Sequence, residues 1–253
     1  MNLQIEPATA DEILPLRTRH RAEMNCQIVH DSIHRREGWT HSHLFRRDGI
    51  AIGFCSVAIG GPWKDKPTLF EFYLLPEHQA CGFDCFEALR KTGSVGFFEV
   101  QTHERLLTVI LHAYGRNIVS EKIVFWDQHS TDLRRDDVVL RCLTPDAEVR
   151  ENLNRRQGGG EWVLELSGEK VASGGILFHY NRPYGDIYME VEKDHRQKGL
   201  GSYLVQELKR CCYELGAIPA ARCNPDNTAS RRCLQRAGFL ATGHILLGEI
   251  IPA

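Results

Sequence analysis

The chain has 253 residues, room for two ordinary domains or one large one, and its 42% hydrophobic and 25% charged residues are values of a folded globular protein. A formal net charge of -2 excludes any global pull toward nucleic acid or anionic membrane, so a basic function has to be local. The start MNLQIEPATADEILPLR lacks a signal peptide's basic stretch and apolar core, no apolar run reaches the roughly 20 residues of a membrane span, and nine cysteines without paired spacing suit a reducing compartment; a cytoplasmic protein is expected.

In chain order, QIEPATADEILPLRTRH predicts a short strand, a Thr cap and a helix with acidic residues in its first turn. The run Arg17 to Arg47 is rich in Arg and His, and reads either as a solvated helix face or, through Arg35, Arg36 and His41, as a site for an anionic group on a substrate. Its histidines His30, His34, His41 and His43 lack a matching carboxylate or Cys pattern, so no metal site is expected. LFRRDGIAIGFCSVAIGG predicts a strand pair about a turn, and LFEFYLLPEHQACGFD a strand entering a Gly-containing turn. Then come a helix over Asp84 to Lys91, the strand GFFEVQT, a helix over Arg105 to Tyr114 and the strand KIVFWDQ.

The order then starts again. VVLRCLTPDAEVRENLNRR repeats the strand, Thr cap and helix, and Gln157 to Gly160 reads as a flexible loop. GEWVLELSGEKVASGGILFHY predicts a hairpin, followed by a strand over Asp186 to Glu192 and a helix over Ser202 to Leu215 that Gly216 ends. IPAARCN predicts a strand, Asn227 to Ala237 a helix, and FLATGHILLGEI a last strand. A repeat with a period of half the chain is a duplication, so two domains are expected, 1–135 and 136–253, with the boundary near Arg135-Asp137.

The stretch Arg196-Gln197-Lys198-Gly199-Leu200-Gly201 puts basic residues and two spaced glycines at a helix start. There, unpaired amides and the positive dipole end favour an anion, and glycines let backbone approach phosphate oxygens. The spacing is neither GxxxxGK[ST] nor GxGxxG, which disfavours nucleoside triphosphates and dinucleotides. Val191 followed by this stretch resembles the R/Q-x-x-G-x-G/A pyrophosphate loop of the GNAT N-acetyltransferase superfamily. Asn224, Asn227, Ser230 and Ala237-Gly238-Phe239 resemble its second motif. The resemblance covers roughly Val139 to Ile250, and weakly the N-terminal half.

It implies an α/β (α+β) fold of two tandem domains, each a splayed mixed sheet flanked by helices, with acetyl-CoA as co-substrate and a small-molecule amine as acceptor. The pyrophosphate would lie on amides from Gln197 through Lys198, Gly199, Leu200 and Gly201 to Ser202, beside Arg196. Backbone at Val191 and Lys193 would hold the pantetheine arm, and Asn224, Asn227 and Ser230 would line the cofactor. The first copy departs from the pattern: Gln79 replaces the Arg and Asp84 the second Gly, so the first domain is expected to have lost acyl-CoA and to serve as scaffold or substrate wall. Strand alternation puts Asp186, Tyr188, Glu190 and Glu192 on one face; Glu190 is the candidate base with Tyr188 or Asp186 in support, the alternative being a solvated strand face. Leu234 stands where many family members carry a Tyr acid, which leaves a non-catalytic acyl-CoA sensor as the second reading. A third is a plain helix-start turn in an unrelated scaffold.

Overall fold

The computed structural model describes residues 2–252 and opens on the expected signal. Strand β1 (Leu3–Ala8) runs into helix α1 (Ala10–Met24) through Thr9, whose hydroxyl accepts from the Glu12 amide at 3.3 Å while the Glu12 carboxylate accepts from the Thr9 amide at 2.7 Å. This reciprocal capping box satisfies two helix-terminal donors. The second start is different. Between β7 (Val138–Cys142) and α4 (Asp146–Arg155), Pro145 holds the N-cap position without a side-chain bond. Thr144, expected as the cap, instead accepts from the Glu161 amide at 3.0 Å and pins the helix entrance to β8 (Gly159–Leu166).

The first repeat continues as β2 (Thr40–Arg47), β3 (Ile50–Ala58), β4 (Thr68–Leu74), α2 (Gly82–Lys91), β5 (Phe97–Gln101), α3 (Arg105–Tyr114) and β6 (Gly115–Asp127). The second continues as β9 (Glu169–Leu177), β10 (Tyr184–Val191), α5 (Leu200–Glu214), β11 (Ile218–Cys223), α6 (Thr228–Arg236) and β12 (Phe239–Ile250). Both read strand, helix, three strands, helix, strand, helix, strand. Two expectations need correction here. Gly159 and Gly160 belong to β8, where they face Leu177 and Ile176 of β9, and are not loop; and β6 begins at Gly115, well before KIVFWDQ.

The chain divides into two units: Met1–Cys26, Ile33–Glu121 and His244–Ala253 form one, and Gln27–Ser32 and Lys122–Gly243 the other. In the first, β1 to β4 are antiparallel neighbours in sequence order and β4 pairs with β5 in parallel over Thr68 and Leu69. β5 then pairs antiparallel with Ile245 to Glu249 of β12. In the second, β7 to β10 are antiparallel neighbours, β10 pairs with β11 in parallel, and β11 pairs antiparallel with Ile123 to Trp126 of β6. The last strand of each repeat is therefore divided: Lys122 to Asp127 of β6 belong to the unit of the second repeat, and His244 to Ile250 of β12 to the unit of the first. A contiguous cut at 135/136 does not describe this division, because it assumes that each repeat pairs only its own strands.

Each unit buries its own core. In the first, Phe45, Phe72, Phe86, Leu89, Phe98 and Leu107 gather beneath α2 and α3. In the second, Leu204, Val205, Leu208 and Cys212, the face expected of α5, pack with Ile176 and Ile187 of the sheet and with Phe178 just past β9. Fully burying such a Leu, Val, Ile or Phe is worth about 1.5–3 kcal/mol, enough to fix where α5 begins and points. Lys209, on the same helix, is buried: its Nζ lies 2.5 Å from Asp127 Oδ1 and donates to the carbonyls of Ala237 at 2.7 Å and His129 at 2.8 Å.

Candidate active site

In the second unit β10 and β11 pair over Tyr184 to Asp186 and Ile218 to Ala220, and among the described residues the ladder stops there, although β10 runs on to Val191 and β11 to Cys223. Parted parallel strands expose backbone donors and acceptors to whatever enters the gap. Beyond β10 the chain takes one 3-10 turn over Lys193–His195, and then two residues turn through the left-handed region, Gln197 at φ 61° and Gly199 at φ 82°. A Gln there is uncommon, and the Gly at the N-cap carries no side-chain bond. Helix α5 starts at Leu200, two residues earlier than expected, because Gly199 already makes the turn. Its first return bond is Tyr203 N–H to Gly199 O at 3.2 Å, so the amides of Leu200, Gly201 and Ser202 are the unsatisfied donors of the helix start.

The basic side chains of this loop brace its backbone. Arg196 Nε donates to Val191 O at 3.1 Å, Lys198 Nζ to Asp194 O at 2.9 Å, and Arg135 reaches across to Lys198 O at 2.8 Å while its other nitrogens clamp Asp137. Val191, expected to offer backbone to the pantetheine arm, thus has its carbonyl taken by Arg196. Lys193 opens the 3-10 turn, whose last amide, Arg196 N–H, points back at its carbonyl from 3.4 Å. Asn227 Oδ1 accepts from the Ser230 amide at 3.0 Å, so Asn227 caps α6 and Ser230 supplies the capped amide, and exposed Asn224 accepts from Lys122 Nζ at 2.5 Å. Gly201 is buried among Met189, Val191 and Cys233, which joins the start of α5 to β10 and α6.

The strand face proves mixed. Glu190 has a side chain 79% exposed, 4.0 Å from Arg196 Nη2, and Glu192 pairs with Lys170 at 3.1 Å. Partial burial, then the nearby Glu161 carboxylate, push the Tyr188 phenol up, so it holds its proton. Asp186, read as a member of the same polar face, is instead buried, with Oδ2 3.4 Å from Arg222 Nε and 3.5 Å from His179 Nε2. Tyr180 joins this cluster, its phenol pushed well up first by burial and then by the Asp186 charge. Sequence reasoning missed His179, Tyr180 and Arg222. The available signal was a carboxylate at the start of a buried strand, which demands a donor or cation. Leu234 is core, so α6 presents no hydroxyl there.

The first repeat lacks the cradle in geometry as well as in sequence. Residues Pro76–Cys81 form a 3-10 helix that leads directly into α2, Gly82 sits at an ordinary helical φ of -57°, and its amide bonds to Gln79 O. The left-handed turn that Gly199 makes before α5 is therefore missing before α2. The Arg/His run is divided: Arg35, Arg36 and His41, read as a solvated face or an anion site, are exposed, whereas other members are held by partners. Arg17 forms a two-pronged ion pair with Glu71, both bonds 3.1 Å, His34 Nε2 lies 2.9 Å from the same carboxylate, and Arg36 stacks on Trp39. Among the described residues no group of three or more His, Cys, Asp or Glu is placed to hold a metal ion, and no helix is long and apolar enough to cross a membrane.

Residues 125–239 match the family model described as Acetyltransferase (GNAT) family. No curated protein sequence matches the chain. Among solved structures, the chain is similar to an acetyltransferase of the GNAT family from Colwellia psychrerythraea (18% identity, 98% of this chain and 99% of that one, TM-score 0.71). It is also similar to a tandem GNAT protein from the clavulanic acid biosynthesis pathway (14%, 100% of both chains, TM-score 0.65). A third is a GCN5-related N-acetyltransferase from Sphaerobacter thermophilus (14%, 99% of this chain and 96% of that one, TM-score 0.62).

Proposed function

We propose that this protein, which carries a GNAT acetyltransferase domain at residues 125–239 on a tandem GNAT fold, transfers an acetyl group from acetyl-CoA to the primary amine of a small molecule. The family uses acyl-CoA as co-substrate, and acyl transfer requires an acceptor of some kind. The observation that carries the reading is the cradle: left-handed turns at Gln197 and Gly199 feeding the bare amides of α5, beside the gap between β10 and β11. A pyrophosphate suits such amides, and the arm would extend along β10 past Lys193 and Val191 toward the parted strands. For this, Arg196 would release Val191 O and turn to the phosphates with Lys198. Asn224, Asn227 and Ser230, which follow the end of β11, would line the cofactor from that side.

In the reaction the amine nitrogen attacks the thioester carbon, the C–N bond forms, the C–S bond breaks and CoA leaves as thiolate. The proton lost by the amine passes through water to Glu190, whose exposure suits a water relay, with Tyr188 in support; solvent protonates the thiolate, since Leu234 is core. Nine free thiols accord with work in the cytoplasm. The missing hydroxyl at Leu234 favours one other reading, a sensor that binds acyl-CoA without turnover.

The test measures CoA binding by calorimetry and thiol release from acetyl-CoA over a panel of amines, with Gly201→Asp and Glu190→Gln. Binding lost in Gly201→Asp, together with release lost in Glu190→Gln, supports the enzyme. Tight binding without release on any amine supports the sensor, and no CoA binding by the wild type overturns both.

A further inference from the structure

The first unit contains an open cleft of about 600 Å³, in the size range of small-molecule sites. It lies where β4 and β5, paired at Thr68 and Leu69 among the described residues, have parted, and α1 and the start of α3 flank it. Its wall includes a group that the acyl-transfer reading leaves unused. Glu104 is 6% exposed, and its carboxyl has two long contacts: the Phe72 amide at 3.4 Å and His20 Nε2 at 3.6 Å. A carboxylate accepts about four hydrogen bonds, and contacts this long satisfy little of that capacity.

The charge balance around Glu104 says what is wanted there. Glu71 lies near it but is already matched by Arg17 and His34, whereas Glu104 faces His20 from α1 at a longer distance. Burial, and then the Glu71 charge, push the Glu104 carboxyl well above the ordinary range, the mark of a site short of positive charge. His103, which also lines the cavity, is pushed by burial toward its neutral form and does not supply that charge. A second carboxylate, Glu23, borders the cavity with its oxygen accepting from Tyr73 Oη at 2.7 Å. The one guanidinium in the wall, Arg105, is on an exposed residue. An anion would meet two carboxyl groups; a cation would meet two acceptors. The rest of the wall mixes apolar and aromatic residues, Met24, Phe72, Tyr73, Leu74 and Leu106, with polar Gln79 and Thr102.

We propose that this cavity is a binding site for a small primary amine in its ammonium form, held by Glu104 with its carbon chain against Phe72, Tyr73 and Leu106. An ammonium brings three donors and one positive charge, so on binding the Glu104 carboxyl gives up its proton to solvent, and the ammonium then fills the acceptor capacity of the carboxylate and balances its charge. The short alkyl body takes the apolar wall out of water, and the aromatic rings add attraction for a cation nearby. This site lies wholly within the first unit and owes nothing to the acyl-CoA cradle, so its test uses no acyl-CoA.

The probes are n-butylamine, n-butanol and butyrate, alike in size and unlike in charge, titrated calorimetrically into the full-length protein at neutral pH. Butylammonium is expected to bind at least about tenfold more tightly than the alcohol or the acid, a difference that corresponds to about 1.4 kcal/mol. In E104Q its affinity falls to that of the alcohol, while urea unfolding shows E104Q folded. L106W, which fills the cavity and leaves the carboxyl in place, weakens all three probes. The proposal is overturned if the amine binds no more tightly than butanol, if butyrate binds as well, or if E104Q keeps the wild-type affinity for the amine.

Discussion

Gly201 packs so closely on Cys233 that a Cβ at position 201 would lie 3.0 Å from the sulfur, with Val191 Cγ2 next at 3.3 Å. Small size is required here by the crossing of α5, α6 and β10, in addition to any phosphate. Gly201→Ala therefore presses α5 away from α6, an overpacking that costs about 1–3 kcal/mol. Because the same displacement moves the cradle amides, CoA affinity should fall about tenfold. Cys233→Ala should recover most of both losses in the double variant, since it removes the nearest atom. Urea unfolding and CoA titration of the four proteins check this; a double variant no better than Gly201→Ala sinks the packing argument.

Arg135 lies 61 residues before the loop it supports, in a stretch between strands, and its Nη1 holds the Lys198 carbonyl at 2.8 Å while Asp137 fixes its other nitrogens. The brace is outside every motif. Arg135→Ala should weaken CoA about five- to tenfold by loosening the loop, with a stability change of about 1 kcal/mol because the side chain is partly exposed and its partner Asp137 is exposed. Asp137→Ala should reproduce part of the effect. Affinities unchanged in both would show that the loop holds its shape without them.

The order of elements was legible because local chemistry dictates it. Thr9 with Glu12 starts a helix, Arg105 to Tyr114 is helical at the predicted residues, and Gly216 at φ 74° ends α5 as foreseen. The cradle was legible for the same reason, since Arg196 to Gly201 is one continuous stretch. What was not legible depends on pairing across long separations. Nothing in the pattern of FLATGHILLGEI says that Leu246 will face Val100 of β5, and nothing in the Arg17 to Arg47 run says that Arg17 will meet Glu71, 54 residues on. The alternation of β10 misled for a related reason: it assigns faces but not neighbours. Asp186 was therefore grouped with Glu190 although His179, Tyr180 and Arg222 enclose it.

That enclosure predicts a separation of stability from cofactor binding. Asp186→Asn keeps the shape of the side chain but removes the charge that Arg222 and His179 face, and hydrogen bonds to charged groups are worth about 1.5–3 kcal/mol. Stability should fall by about 1–3 kcal/mol. CoA affinity should stay within about twofold of the wild type, because the cradle begins ten residues later and is braced by Arg135 and Arg196. A large loss of affinity at wild-type stability would instead place Asp186 in the cofactor site.

Glu71 and Glu104 are two buried carboxyl groups in one unit whose environments push them in opposite directions. Burial alone would raise Glu71, but the Arg17 guanidinium first, and then His34, hold it well below the ordinary range. Glu104 has no such partner, and burial followed by the Glu71 charge holds it well above. The signs of their linkage to folding are therefore opposite. Glu71 stays ionised in the folded chain when the unfolded chain takes up its proton near the ordinary pKa of about 4.3, so its contribution is present above that pH and is lost as pH falls through its folded value. Glu104 keeps its proton where the unfolded chain has lost it, so stability declines as pH rises from about 4.3 toward its folded value. Glu71→Gln should cost about 3–5 kcal/mol near neutral pH by stranding Arg17, and less in acid. Glu104→Gln should be more stable than wild type near neutral pH, with the gain disappearing in acid. Urea unfolding of the three proteins across this range distinguishes the signs, and a Glu104→Gln curve parallel to the wild type at all pH values would show that Glu104 ionises normally.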